Sequence, residues 1–508
     1  MVILDSPIVS FDCIEKMILL QNCMCRIIIG NGDSKAFGSG FFAYIRNQDQ
    51  EYPVLITCDF ILKKENLNEI NLNVGKDNKQ IKIKVKDNRF IYSKKMRFCG
   101  ITIIEIFPKD DKINNFYEFD DFTNVEGKEI YIPQYPNSDK LSVSYGKIKK
   151  LNDIDNTIIH LCSTDYGAGG GPIINIYTNK VIAIHAGGTS NFDSDIKARR
   201  YKAINFGYLL KNIITDYIIK KKNYKESDFK NIKLLSSGLF GNIYSAYSIK
   251  DKKEVCLKKI NLEKMKLNYQ MNELNDYKND INNEIEILQT LNFTDNSIEY
   301  YGNYDNENEK VIVMEKCDKN FKEYIKETGK ALTIKEIQKE FLGLNKLFRF
   351  MYLKKNIIHR DLKLENFLIK YIDKGNYTIK LADYGISKFE KNSNGIFSGL
   401  KGTPETVAPE IILEKIKKYE SSVDMFSLGI ILYQLSHNLK HPFGTSYEKC
   451  VIIYNNYYEK DDFIVEFDKE IIDQDFKDLI SKMIKINPKN RLNWEDYFEH
   501  NFFKKTFN

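Results

Sequence analysis

The chain has no apolar run approaching the ~20 residues that span a bilayer, so no membrane-crossing helix is expected. It also lacks a strong charge of either sign. Net charge is +6 over 508 residues, too weak a field to favour nucleic acid or an anionic membrane surface. Asp5, Asp12, Glu15 and Lys16 interrupt the apolar N-terminal segment, which argues against a secretion signal. The nine cysteines are scattered; only Cys23 and Cys25 lie close, and no second pair completes a zinc site. Reduced thiols in a cytoplasmic protein are their simplest account. There is no internal repeat and no long low-complexity tract. No histidine occurs before His160, so nothing ahead of it supplies an imidazole base.

The most informative segment is His359 to Asn366, HRDLKLEN, directly after the strand-like pair Ile357-Ile358. Asp361 and Asn366 stand five residues apart with Lys363 between them. That pattern suits phosphoryl transfer: a carboxylate for a hydroxyl proton, a lysine for developing charge, an amide oxygen for a metal ion. Asp383-Tyr384-Gly385 supplies a second metal-binding carboxylate, and Ala408-Pro409-Glu410 follows. In this order the segments resemble the protein-kinase signature.

The resemblance implies ATP and Mg²⁺ as cofactors and assigns further residues. Leu235 to Ile243 is similar to the phosphate-covering loop, with Ser236 in place of its first glycine; Gly238 and Gly241 remain. Glycine lets backbone amides approach phosphate without an intervening Cβ. Val255-Cys256-Leu257-Lys258 resembles the strand whose lysine grips the α- and β-phosphates, with Lys259 as the register alternative. Glu284 is the expected partner of Lys258, with Glu286 as the alternative on a solvated face. Met314 is expected at the back of the adenine pocket, and Glu315 to Cys317 as its backbone donors and acceptors. Asn366 and Asp383 are the expected metal ligands.

The C-terminal part continues the likeness. Val423 to Gly429 resembles the Asp-x-Trp-Ser-x-Gly segment, with Phe426 for Trp, and Arg491 is the expected buried partner of Glu410. Lys363 two residues after Asp361, and Gly402-Thr403-Pro404-Glu405, resemble the serine/threonine class, which implies protein substrates. Arg360 implies control by phosphorylation, with Ser398 and then Ser393 as acceptors. Thr403 is expected to position Asp361 and Lys363.

The kinase-like part covers residues 229–504. The preceding 1–215 read as β-structure, with apolar runs at Cys25-Ile29, Gly40-Ile45, Tyr52-Thr57, Ile81-Val85, Ile101-Phe107, Glu129-Ile132, Ile158-Leu161, Pro172-Ile176 and Lys180-His185. Phe37 to Phe42, the glycine-dense Asp165 to Pro172, and Val181 to Gly188 together resemble trypsin-like serine peptidases of the double β-barrel fold. That family needs His, Asp and Ser in this order. Here the slots hold Phe60, Gly100 and Gly169. Cys162 or Ser163 with His185 is the only substitute pairing in view. A helix over Leu209 to Ile219 and a solvated linker at 216–228, with its lysine run at 220–222, are expected between the halves.

The expected architecture is therefore multidomain: an all-β double barrel, then an α+β bilobal kinase. The expected function is phosphorylation of Ser/Thr in proteins by ATP, with the peptidase-like part as a non-catalytic binding or regulatory module for a peptide or protein. A pseudokinase scaffold and a bifunctional kinase-peptidase are the rivals.

Overall fold

The computed structural model describes residues 11–505 apart from 30–35, 48–49, 63–68, 86–88, 97–98, 137–139, 153–155, 165–167, 190–203, 239–240, 263–270, 293, 307, 374–375, 390–404, 416–419, 445, 461 and 472. The chain divides into two compact units, Met1–Lys222 and Asn223–Asn508. The division falls inside the stretch 216–228.

The first unit is built from short antiparallel strands. β1 (Met24–Ile29), β2 (Ala36–Asn47), β3 (Gln50–Cys58), β4 (Glu69–Val74), β5 (Lys79–Lys84), β6 (Ile91–Lys94) and β7 (Ile101–Glu105) form one sheet, in the order β5-β4-β1-β2-β3-β7-β6. β8 (Glu129–Gln134), β9 (Ser142–Asn152), β10 (Thr157–His160), β11 (Pro172–Asn175), β12 (Val181–Thr189) and β13 (Ile204–Leu209) close into a barrel. The two-barrel expectation is thus met by one closed barrel and one curled sheet in which, among the described residues, β5 and β6 are the end strands. Edge strand β5 alternates buried Ile81 and Ile83 with exposed Lys79, Lys82 and Lys84. Lysines on such an edge oppose pairing with another chain.

The helix Lys211–Lys222 follows β13 and buries Ile213, Ile214 and Tyr217. The Tyr217 ring meets Tyr52, Phe90 and Tyr92 edge-on at 5.3–6.3 Å. The 220–222 lysines form the helix's last turn, where positive charge complements the helix dipole. Lys221 Nζ lies 2.6 Å from Glu105 and Lys220 stands over the Tyr92 ring. The lysine run is therefore part of the helix, with Lys221 folded onto the first sheet and Lys220 exposed.

The second unit opens with Tyr224, whose buried hydroxyl donates to Asp251. Its ring packs on Phe229, which stacks on Tyr304. β14 (Phe229–Ser237), β15 (Asn242–Ser248), β16 (Lys253–Asn261), β17 (Tyr300–Asp305) and β18 (Glu309–Glu315) form a sheet in the order β14-β15-β16-β18-β17. The long helix Met271–Leu291 lies between β16 and β17 in sequence. The rest is mostly helical, with the short strands β19 (Lys319–Asn320), β20 (Ile357–Ile358), β21 (Phe367–Asp373) and β22 (Asn376–Leu381). Local chemistry sets the helix starts: Asn320 with Glu323 and Thr333 with Glu336 form capping boxes. The helix Ser422–Ser436 is buried almost all round, as a central core helix must be. Among the described residues, no helix is long and apolar enough to cross a membrane.

Glu410 and Arg491 form a two-pronged pair at 2.7 and 2.9 Å, with side chains 1% and 0% exposed. Arg491 also donates to the carbonyls of Ser422 and Lys485. Removing one partner leaves a buried charge uncompensated. Glu410→Ala is therefore expected to cost about 3–5 kcal/mol in denaturant unfolding of the second unit; a change under about 1 kcal/mol, the range of exposed pairs, would mean the pair is not sealed from water.

Candidate active site

The second unit's charged cluster is set up by strand alternation. On β16, Val255 and Leu257 are fully buried, while Cys256 and Lys258 take the opposite face. Lys258 Nζ lies 2.6 Å from Glu284 Oε1 and 3.1 Å from Asp383 Oδ1. Burial by itself would lower the Lys258 pKa, but the carboxylates of Asp383 and Glu284 outweigh it and hold the ammonium above the ordinary lysine range. The Lys258 charge holds the Asp383 carboxyl well below the usual range. Burial pushes Glu284 upward against the pull of Lys258. Lys259 turns instead to Glu226 at 3.3 Å, and Glu286 is exposed. A Cβ at Gly385 would lie 3.1 Å from Lys258 Nζ, so a glycine keeps that space open.

The segment after β20 is held from below. Asp424 accepts hydrogen bonds from the His359 amide at 2.6 Å, the Arg360 amide at 2.8 Å and the Tyr352 hydroxyl at 3.0 Å. Arg360 and Asp383 have φ of +72° and +61°. Non-glycine residues hold that conformation only where surrounding contacts fix it. Lys363 Nζ lies 2.7 Å from Asp361 Oδ2. Asn366 Nδ2 donates to the Asp361 carbonyl at 2.8 Å and to Oδ2 at 3.3 Å. The Ala382 amide donates to the Asn366 carbonyl at 2.9 Å, which fastens the residue before Asp383 to this loop. Asp361, Lys363, Asn366, Asp383, Lys258 and Glu284 are thus linked through one network.

The expected nucleotide walls lie on the same sheet. Gly238 N donates to Gly241 O at 2.9 Å, and a Cβ on Gly241 would come within 2.4 Å of the Lys259 carbonyl. Ile243 pairs with Lys258 across β15 and β16, and Leu235 is exposed on β14. Met314 pairs with Cys256 across β18 and β16. The Glu315 amide donates to Glu299 O, its carboxylate faces Lys380 at 3.4 Å, and Cys317 is half-buried beyond the strand end. Ser393, Ser398 and Thr403 lie outside the described residues.

Sequence reasoning gave no role to three residues here. Cys256 shares the Lys258 face of β16, a placement that period-two alternation could have shown. The buried Tyr384 hydroxyl lies 3.0 Å from Ser297 Oγ and donates to Leu381 O at 3.2 Å. The leading oxygen pair joins positions 87 residues apart, a distance no local pattern reports. It ties the segment after the Met271–Leu291 helix to the residue following Asp383.

In the first unit, Gly169 faces Phe60, and Gly100 faces Asp59, the residue before Phe60. A Cβ at Gly169 would lie 2.8 Å from the Phe60 ring, which is exposed. A Cβ at Gly100 would lie 2.0 Å from the Asp59 carboxylate, which accepts a hydrogen bond from the Gly100 amide at 2.8 Å. The glycine loop is pinned by Ser39 N donating to Gly169 O at 3.0 Å. Gly170 has φ +88°, and a Cβ there would meet Ser39 O at 2.1 Å. Asp165, Tyr166 and Gly167 lie outside the described residues.

His185 Nδ1 lies 3.1 Å from His160 Nε2, and burial pulls the two rings down to pKa values of about 3 and about 4. Cys162 is fully buried in the barrel core, its thiol pushed up to about 12 by burial.

Residues 38–184 match the family model for a trypsin-like peptidase domain. Residues 229–503 match the model for a protein kinase domain. The chain is 31% identical to serine/threonine-protein kinase KIC1 of Saccharomyces cerevisiae over 41% of its length and 18% of that protein. It is 30% identical to human serine/threonine-protein kinase Nek5 over 44% of the chain and 29% of that protein. It is 28% identical to calcium-dependent protein kinase 9 of Arabidopsis thaliana over 56% of the chain and 51% of that protein. The chain thus spans about half or less of these relatives' own lengths. With the kinase model matched over more than half of its residues, the chain belongs to the protein kinase family, as a serine/threonine-type kinase domain with a trypsin-like peptidase domain ahead of it.

Proposed function

We propose that the chain transfers the γ-phosphoryl of ATP to Ser and Thr hydroxyls of protein substrates, and that its peptidase-like domain is a non-catalytic module that binds a peptide or protein. The observation that carries the first part is Lys258 held between Glu284 and Asp383. An ammonium anchored this way is positioned to pair with the α- and β-phosphates. Leu235, Gly238, Gly241 and Ile243 cover the nucleotide in this reading. Met314, Glu315 and Cys317 line the adenine side.

The residues present suit magnesium. The Asn366 amide nitrogen is engaged with Asp361, which leaves its oxygen as a donor, and the Asp383 side chain is 50% exposed. Oxygen donors of this kind fit a hard cation that takes its remaining ligands from phosphate and water. When bound, the ion neutralises charge on the phosphates. Asp361 orients the substrate hydroxyl and receives its proton, and Lys363, already on Asp361 Oδ2, steadies charge on the transferring group.

The second part is supported by the glycines at the Ser and Asp slots and by Phe60 at the His slot. Glycine offers no nucleophile, and a phenyl ring accepts no proton. The exposed Phe60 ring beside the glycine loop is an apolar contact for a bound chain. A cytoplasmic setting belongs to the same reading and is supported by the scatter of nine cysteines.

Full-length protein with radiolabelled ATP and a Ser/Thr peptide library tests the kinase part. Asp361→Asn is expected to slow transfer by about 10²–10⁴-fold, with the wild-type label on Ser and Thr; an unchanged rate would place the chemistry elsewhere. A fluorophosphonate probe on the same protein tests the peptidase-like domain. No labelling of residues 38–184 above a denatured control is expected, and stoichiometric labelling there would overturn the non-catalytic reading.

A further inference from the structure

We propose that Cys58 and Cys99 form a redox modification site in the peptidase-like domain, in which a hydroperoxide oxidises Cys99 and Cys58 closes a disulfide with it. The two sulfurs stand 3.5 Å apart. The backbone makes this approach. Cys58 ends β3 and pairs with Ile101, the first residue of β7. The next rung is Asp59 N donating to Gly100 O at 2.9 Å. Side chains two apart on a strand share a face, so Cys99 is the diagonal neighbour of Cys58. Bonding requires the sulfurs to close by about 1.5 Å, a motion within reach of side-chain rotation.

The two thiols differ in access. Cys58 is fully buried, whereas Cys99 is only part-buried. An oxidant therefore reaches Cys99 first and Cys58 serves as the resolving thiol, the usual division of labour in such pairs. The contact with Cys99, then burial, holds the Cys58 thiol well above its ordinary pKa, which keeps it protonated until a partner is activated. By contrast Cys23 and Cys25, the pair close in sequence, are each 0% exposed in the core.

The steps balance. The Cys99 sulfur attacks the hydroperoxide, the O–O bond breaks, and Cys99 sulfenic acid and an alcohol (water, from hydrogen peroxide) form. The Cys58 sulfur then attacks the Cys99 sulfur. The S–O bond breaks, the S–S bond forms, and the Cys58 proton leaves with the hydroxyl as water. Two thiols are oxidised and one hydroperoxide is reduced.

The position gives the bond a consequence. Cys58 immediately precedes Asp59 and Phe60, and Cys99 immediately precedes Gly100, so the cross-link borders the Asp59–Gly100 contact and the ring that faces Gly169. Cys58 Sγ also donates to His185 O at 3.6 Å, the carbonyl that accepts from Gly170 N at 2.9 Å. Forming the disulfide removes that thiol donor and alters the support of the glycine loop. The proposal does not depend on whether the domain cleaves peptides.

The test uses the reduced full chain, treated with hydrogen peroxide, alkylated and mapped by mass spectrometry. A peptide joining Cys58 to Cys99 is expected, with a mass loss of about 2 Da that thiol reductant reverses. In Cys58→Ser, a sulfenic-acid trap is expected to label Cys99. Wild-type protein giving no Cys58–Cys99 peptide while other cysteines oxidise would overturn the proposal. So would a Cys58–Cys99 peptide found only after denaturation, which removes the dependence on the Cys58→Ser variant folding.

Discussion

A buried lysine ammonium is the constraint on which the kinase unit's chemistry depends. Lys258 is drawn from water by its place on β16 and must be compensated, since an unpaired buried charge is among the costliest features a fold can hold. Its two carboxylates come from different segments: Glu284 from the Met271–Leu291 helix and Asp383 from the chain after β22. Satisfying one cation therefore fixes a helix, a strand and a loop against one another. Asp424 does the complementary task from the helical side, where one carboxylate collects the amides of His359 and Arg360. Asn366 and Ala382 join the two assemblies through a backbone bond.

The peptidase-like unit keeps a similar framework with different contents. Gly170 sits with a positive φ against Ser39 O, so its backbone approach demands glycine. Beside it, the space next to Gly169 is taken by the Phe60 ring, and that next to Gly100 by the Asp59 carboxylate. His160 and His185 face each other, both held below the ordinary histidine range by burial. In our reading this pocket recognises a chain and cuts none, and the thiol pair one residue away makes its walls responsive to oxidation.

The parts of the molecule that were legible in the sequence are those where chemistry fixes spacing. Asp361, Lys363 and Asn366 lie within six residues because one loop turn must present them together, and the structure links them by direct hydrogen bonds. Strands with continuous apolar runs, such as Leu55-Ile56 or Ile101 to Ile104, were visible as well. Among the described residues of the first unit, four strands were not. β9 is mostly exposed, with Ile148 its buried residue, and presents Lys147, Lys149 and Lys150 where a run would be sought. β13 carries Asn205 and Gly207, β4 interleaves asparagines with its apolar residues, and β6 is only four residues long. The lysines at 220–222 looked like a spacer because charge alone does not reveal that a helix continues through them toward Glu105. The Tyr384–Ser297 contact joins distant segments and has no local signature.

The most direct test of the account is the rate of γ-phosphoryl transfer by full-length Lys258→Met. Methionine retains much of the side chain's length and apolar character but removes the cation shared by Glu284 and Asp383. The account predicts a loss of about 10²–10³-fold or more, the scale of deleting one preorganised electrostatic contact to a reacting group. Transfer at the wild-type rate would contradict it.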